Sequence, residues 1–142
     1  MQRDEEHILT IDCYTDASYS KQANGSVIGY KVGDQPIVMD FLPLVKNTQA
    51  EVMAVNLCVA ECETIHPESQ IHVHTDCQKA IRSQYPENMR MHKMIGHIKK
   101  DLRDEKQIIF AMVDRAVRKE LRKKHKEIEM MRNGNTKELM IS

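Results

Sequence analysis

Apolar and polar positions along this chain follow two rhythms. From His7 to Asp16 they alternate at period two, with Leu9, Ile11 and Cys13 on one side and Asp12, Tyr14 and Asp16 on the other. Successive side chains of an extended chain point to opposite faces, so this is a strand pattern. The strand is expected to close at Asp16, where Ala17 and Ser18 follow. Asn24-Gly25 is a hairpin signal and Gly33-Asp34-Gln35-Pro36 a second turn. Ser26–Val32 and Ile37–Leu44 are then two further strands, and the first third of the chain is an antiparallel meander.

At Thr48 the rhythm changes to that of a helix. Across residues 48–65, Glu51, Val55, Cys58, Cys62 and Ile65 share one face, with Ala50, Ala54 and Leu57 beside them. His66-Pro67 ends the helix, because proline disfavours helical backbone in the residue before it. Gln70–Thr75 is a fourth strand, and a short helix, Cys77–Gln84, stops at Tyr85-Pro86. A helix is expected over Glu87–Arg103, with Met91, Ile95, Ile98 and Leu102 as its apolar stripe. Gly96 within it costs about 1 kcal/mol relative to alanine. The apolar run Gln107–Val113 is expected as strand five, followed by a charged helix over Ala116–Arg132 that Asn133-Gly134-Asn135 stops.

Strands four and five, reached by helical crossovers, should run parallel to strand one. The expected fold class is α/β: a mixed five-stranded sheet, three antiparallel strands then two parallel to the first, flanked by helices. With 142 residues, one domain is expected over 1–142, with a core over 7–132 and a flexible tail at 133–142.

Composition adds little until it is read locally. Lys and Arg number 21 and so do Asp and Glu, so the whole-molecule charge selects no partner. Residues 115–126, however, hold Arg115, Arg118, Lys119, Arg122, Lys123, Lys124 and Lys126 against Glu120 alone. Such a stretch either is a solvated helix face or contacts a polyanion. Cys13, Cys58, Cys62 and Cys77 show no CxxC spacing and read as buried free thiols of a reducing compartment, with a zinc site as the sharper alternative. His72 and His74 share a face of strand four, where packing or a surface position is the plain reading; His92, His97 and His125 read as solvated helix residues. No stretch is long and apolar enough to span a membrane and no secretory signal opens the chain, so a cytoplasmic location is expected, with a monomer as the default state.

Three acids stand at comparable punctuation points. Asp16 and Asp76 close strands one and four, and Glu51 lies in the first turn of the 48–65 helix. Ligands of α/β folds gather beyond the C-terminal ends of parallel strands. Carboxylates brought together there need a cation to stay ionised, and Mg²⁺ prefers oxygen ligands. Each acid also has a plain reading: Asp16 as a turn residue, Glu51 as the partner of Thr48 in a capping box, and Asp76 as a helix cap.

The motifs resemble those of type 1 ribonuclease H. Tyr14-Thr15-Asp16-Ala17-Ser18 is similar to that family's first-strand motif, and Asn24-Gly25-Ser26-Val27-Ile28-Gly29-Tyr30 to its turn and second strand. Asn47-Thr48-Gln49-Ala50-Glu51-Val52-Met53-Ala54 resembles the first-helix motif, the most specific of the set, and His74-Thr75-Asp76-Cys77-Gln78 the fourth-strand motif. The resemblance implies a ribonuclease H-like fold over about residues 7–132. It also implies hydrolysis of the RNA strand of RNA–DNA hybrids with two Mg²⁺ or Mn²⁺ ions. Asp16, Glu51 and Asp76 match three of the acids. For the fourth, one alignment supplies Asp114; another sets Arg122 at the aspartate position and leaves Glu120 as the nearest acid. Asp114 is favoured because it would leave strand five at the same sheet end, with a helix N-cap as its plain reading. Ser18, Asn47, Gln49, Arg118, Lys119 and Lys123 are the residues expected to meet nucleic acid. The glycine- and histidine-bearing loop before the last helix of many relatives is absent, and so is any tryptophan. A weakly active or inactive module that binds nucleic acid or a protein is therefore the second reading, and a related nuclease acting on DNA the third.

Overall fold

The computed structural model describes residues 9–95 and 98–141, with side chains through residue 134. Five strands and three α-helices account for most of it: β1 (Thr10–Ser20), β2 (Gly25–Val32), β3 (Val38–Pro43), α1 (Asn47–Ile65), β4 (Gln70–Thr75), α2 (Gln78–Ile81), β5 (Met89–Lys93) and α3 (Glu105–Ile141), with a 3₁₀ turn at Lys100–Leu102. The strands form one mixed sheet in the order β3-β2-β1-β4-β5. β1, β2 and β3 pair antiparallel, while β4 pairs parallel to β1 and β5 parallel to β4. The meander, the 48–65 helix and the fourth strand thus form as their periodicities predict. At the first turn Asn24 takes a φ of 53°, a left-handed conformation that asparagine tolerates.

Three elements differ from expectation. β1 does not close at Asp16: it continues to Ser20, with Asp16 opposite Gly29 of β2. Its pairing with β4 does stop at Tyr14, so Asp16 stands just beyond the parallel part of the sheet. The helix expected over 87–103 is instead strand β5 followed by irregular chain and the 3₁₀ turn. The helical spacing of Met91, Ile95, Ile98 and Leu102 loses to the open edge of β4, where Met89–Lys93 completes a parallel ladder. Strand five expected over 107–113 is the start of α3. A reciprocal capping box opens that helix. The Gln107 amide donates to Asp104 Oδ1 at 2.8 Å and the Asp104 amide to Gln107 Oε1 at 2.9 Å. From there Phe110, Val113, Val117 and Leu121 bury one helical stripe. Nor does Asn133-Gly134-Asn135 stop the helix, which runs on to Ile141.

The sheet is covered on both faces. Against α1 lie Cys13, Tyr30, Val32, Ile71 and Val73 from the strands, with Val55, Cys58, Val59 and Cys62 from the helix. Ala50 and Ala54, both fully buried, let α1 close on Ala17 and Ile28. Against α3 lie Tyr14 and Val27, with Phe110, Val113, Val117 and Leu121. Gly29 permits that approach, because a Cβ there would collide with Val117 Cγ2. Leu57 and Ile65, read as part of the buried face of α1 or beside it, are about half exposed.

Candidate active site

Four carboxyl groups from four elements converge at one end of the sheet. β1 contributes Asp16, α1 Glu51, the turn after β4 Asp76, and α3 Asp114. Alternation along β1 turns Asp16 toward α3, since Tyr14 two residues earlier packs on that helix and Cys13 on the opposite one. Asp16 is only 7% exposed. Burial, then the hydrogen bond and charge of Asp114, then the charge of Asp76 push its carboxyl up to about 9; the Ala17 amide pulls weakly the other way. Asp16 is therefore poised to hold a proton at neutral pH, hydrogen-bonded to Asp114. Glu51 is also raised, first by burial and then by the charge of Asp76, against a hydrogen bond from the Cys77 thiol. The acids thus form a chain of mutual influence, Glu51–Asp76–Asp16–Asp114.

The route by which Asp114 arrives corrects the sequence expectation. It does not leave a strand end; it lies in the third turn of α3, one turn from Arg118, whose guanidinium pairs with it. Gln107, Ala111, Asp114 and Arg118 follow helical spacing along one side of α3 and line a cleft of about 80 Å³ together with Asp76, Phe110, Ile95, Ile98 and Arg103. Glu120 is not part of it. Six residues further along the helix, it lines a separate groove with Met39, Lys119, Arg122, Lys123 and Lys126. The capping and turn readings of the first three acids do not hold. α1 has Lys46 at its N-cap with no side-chain capping bond, so Thr48 and Glu51 form no capping box. Cys77, not Asp76, caps α2, and Asp16 sits inside a strand.

The remaining residues expected to meet nucleic acid surround the acids on two sides. Ser18 follows Asp16 on the same face of β1, opposite Val27 of β2. Asn47 and Gln49 are exposed in the first turn of α1, just before Glu51. Arg118, Lys119 and Lys123 are exposed on α3. Arg103 and Gln107 of the cleft escaped the sequence reading; the Asp104-x-x-Gln107 capping box was the signal that could have found them.

A second polar group occupies the same face of the sheet, away from the acids. His74 stacks between Tyr14 and His92 at centroid distances of 4.9 and 5.0 Å, and His92 stacks in turn on His72 at 4.8 Å. His72 Nδ1 and His92 Nε2 share a hydrogen bond of 2.6 Å, and His74 Nε2 donates to Asp12 Oδ1 at 2.9 Å. Burial and the neighbouring His74 and His72 hold His92 below its ordinary range. Burial would raise Asp12, but the bond from His74 and the charge of Lys106 outweigh it and hold that carboxyl low. His92 is therefore a stacked strand residue rather than a solvated helix residue, His74 is buried, and His97 lies outside the described residues.

No model of a known protein family matches this chain. No curated protein sequence matches it either. Solved structures do match in shape. A ribonuclease H1 isolated from compost by a metagenomic approach, LC11-RNase H1, superposes with a TM-score of 0.56 at 15% identity, over 79% of this chain and 98% of its own. The same enzyme in complex with an RNA/DNA hybrid gives 0.52 at 13% identity, over 78% and 99%. The protease–reverse transcriptase of prototype foamy virus gives 0.57 at 13% identity over 78% of this chain, which spans a fifth of that longer polypeptide. Identities this low speak to architecture, and on architecture they agree with the strand order and flanking helices found here: the chain has the ribonuclease H-like fold.

Proposed function

We propose that this protein is a metal-dependent endonuclease that hydrolyses the RNA strand of RNA–DNA hybrids. The observation that carries the reading is the convergence of Asp16, Glu51, Asp76 and Asp114 from four separate elements, with Asp16 and Glu51 both pushed toward their protonated forms. Four acids at one sheet end serve no packing purpose and repel one another. The donor set, all carboxylate oxygen and flanked by an open cleft, suits hard divalent cations such as Mg²⁺ or Mn²⁺. Asp16, Glu51, Asp76 and Asp114 would hold two of them. When bound, such a pair activates water and stabilises the leaving oxygen of an in-line displacement at phosphorus.

The chain's own groups do the rest. Asp16, kept protonated first by burial and then by the hydrogen bond and charge of Asp114 and the charge of Asp76, would give up that proton as positive charge enters the cluster. Arg118 holds Asp114 along the helix and is itself exposed enough to swing toward phosphate. Lys119 and Lys123, beside Met39, extend positive charge away from the cleft along a groove that a phosphate backbone can follow. Such contacts neutralise phosphates without reading bases, so affinity should fall with salt and not depend on sequence. Asn47 and Gln49 are set to meet a strand whose scissile phosphate lies at Glu51, and Ser18 to meet it beyond Asp16. Hybrid preference would rest on groove shape and 2′-hydroxyls rather than on base edges. The solved complex of LC11-RNase H1 with an RNA/DNA hybrid supports the substrate class by likeness of fold.

The test is cleavage of an end-labelled RNA–DNA hybrid with Mg²⁺, Mn²⁺ or EDTA. Cleavage confined to the RNA strand, dependent on metal and lost in Asp114→Asn but kept in Glu120→Gln, is the expected result. A wild-type chain that binds the hybrid and leaves it whole in both metals would replace this reading with that of a binding module.

A further inference from the structure

Three thiols meet in the core on the face of the sheet that the carboxylates do not use. Cys13 comes from β1, and Cys58 and Cys62 from successive turns of α1; all three are fully buried. Their sulfurs lie within 4.8 Å of one another, and the Cys13 and Cys62 Sγ atoms are 3.5 Å apart. We infer that Cys13, Cys58 and Cys62 form a three-coordinate sulfur site for a thiophilic ion, fitted best to a trivalent centre of the arsenite class.

Distance is the first argument. An ion bonded to three sulfurs at about 2.3 Å holds them roughly 3.5 to 4 Å apart, depending on whether the group is pyramidal or planar. Cys13 and Cys62 already stand in that range at 3.5 Å, and no separation in the cluster exceeds 4.8 Å, so small side-chain adjustments bring all three sulfurs into it. Ligand number is the second. The walls are Tyr30, Val32, Val55, Val59, Ile71 and Val73, and no fourth ligand joins the three sulfurs among the described residues. A structural zinc site closes with four ligands, and hard ions reject sulfur, so both are poorly served. Charge is the third. A net charge in an apolar core is costly, and three thiolates around a trivalent centre sum to zero. Three thiolates around a monovalent or divalent ion do not.

Loading needs no electron transfer. Three S–H bonds and three As–O bonds of arsenous acid break, three As–S bonds form, and the protons leave with the hydroxyls as three waters. Entry requires α1 to part locally from β1, so loading should be slow. Once formed, the bonds tie β1 to α1 and should raise the melting temperature, because the site exists only in the folded state. The side chain of Cys13 leaves β1 on the face opposite Asp16, so this site stands or falls independently of the nuclease reading.

The experiment incubates the reduced full-length chain with one equivalent of arsenite for hours, removes the excess, and measures the intact mass and the arsenic-edge X-ray absorption. The expected product carries one arsenic and lacks three hydrogens, with three sulfur neighbours and no oxygen. Cys77→Ala should load like wild type. Cys58→Ala should bind more weakly by at least the ~10-fold that losing even an outer-shell partner costs a metal site. Should that variant fail to fold, the wild-type absorption decides alone. No retained arsenic, oxygen in the first shell, or fewer than three sulfurs would each overturn the inference.

Discussion

The two faces of the sheet are built from the same strands and do opposite things. Toward α1 the strands present Cys13, Val32, Ile71 and Val73, and the helix answers with Val55, Cys58, Val59 and Cys62. Toward α3 the same strands present Asp12, Tyr14, Asp16, His72, His74 and, from β5, His92. Alternation makes this possible, since neighbouring residues of one strand serve different layers. The difference in polarity follows from how the two helices cover the sheet. α1 closes tightly through Ala50 and Ala54. α3 packs over β1, β2 and β3, and the histidine row of β4 and β5 lies beyond that cover. Polar groups survive there because they satisfy one another, His74 with Asp12 and His72 with His92. The acids instead act on one another, Asp114 and Asp76 on Asp16 and Asp76 on Glu51.

Breaking the comparison at its strongest point means removing an acid. Asp76→Asn should lower metal-dependent cleavage by roughly 10²-fold or more, the scale of losing one preorganised electrostatic group. Its stability in EDTA should be unchanged or higher, since the charge removed is one that raises both Asp16 and Glu51. Single-turnover cleavage paired with thermal unfolding reads both quantities. An active variant would remove Asp76 from the site.

The dry face should behave in the reverse way. Ile71→Ala should cost about 2–5 kcal/mol, as other large-to-small changes in a packed core do. Activity per folded molecule should hold, because Ile71 is fully buried away from the acids. Chemical denaturation beside the cleavage assay tests this. Gly29→Ala probes the contact on which α3 depends and should cost about 1–3 kcal/mol by overpacking Val117. If it costs nothing, α3 is less closely seated than its position implies.

The dependence of stability on pH should come from the wet face and carry two signs. Asp16 is raised from 3.8 to about 9, so as pH climbs through that window the unfolded chain ionises it and the folded chain does not. Stability in EDTA should therefore fall as pH rises across it, and Asp16→Asn should flatten the fall. His92 is lowered from 6.5, so the unfolded chain takes up its proton first as pH drops. Its contribution should be lost on acidification below 6.5, and His92→Phe should remove that loss while keeping a ring in the stack. Unfolding followed from pH 4 to 9 in EDTA separates the two. The smallest effect is on the basic helix. Neutralising Lys119 and Lys123 should reduce the salt slope of hybrid binding by about 2, with little change in the single-turnover rate at saturation.

Periodicity and its punctuation determined the meander, α1 and β4. Local signals settle these elements: turn residues at Asn24-Gly25, an alternating run into Asp16, and a long helical stripe ended by His66-Pro67. The motif residues around Asp16, Glu51 and Asp76 could be picked out for the same reason. The second half of the chain was decided by tertiary structure. Residues 87–103 carry a helical stripe from Met91 to Leu102, yet Met89–Lys93 becomes a strand because β4 offers an unpaired edge. Ile108–Val113 is a short apolar run that period cannot assign, and the capping box at Asp104 and Gln107 makes it helix. Asp114 meets Asp16 either way, but through a helix face rather than a strand end, and only the packing of α3 at Gly29 brings it there. No pattern in the chain pairs Cys13 with Cys58 and Cys62, 45 and more residues away. That meeting follows from which face of β1 the helix α1 covers, and a face is a property of the folded sheet.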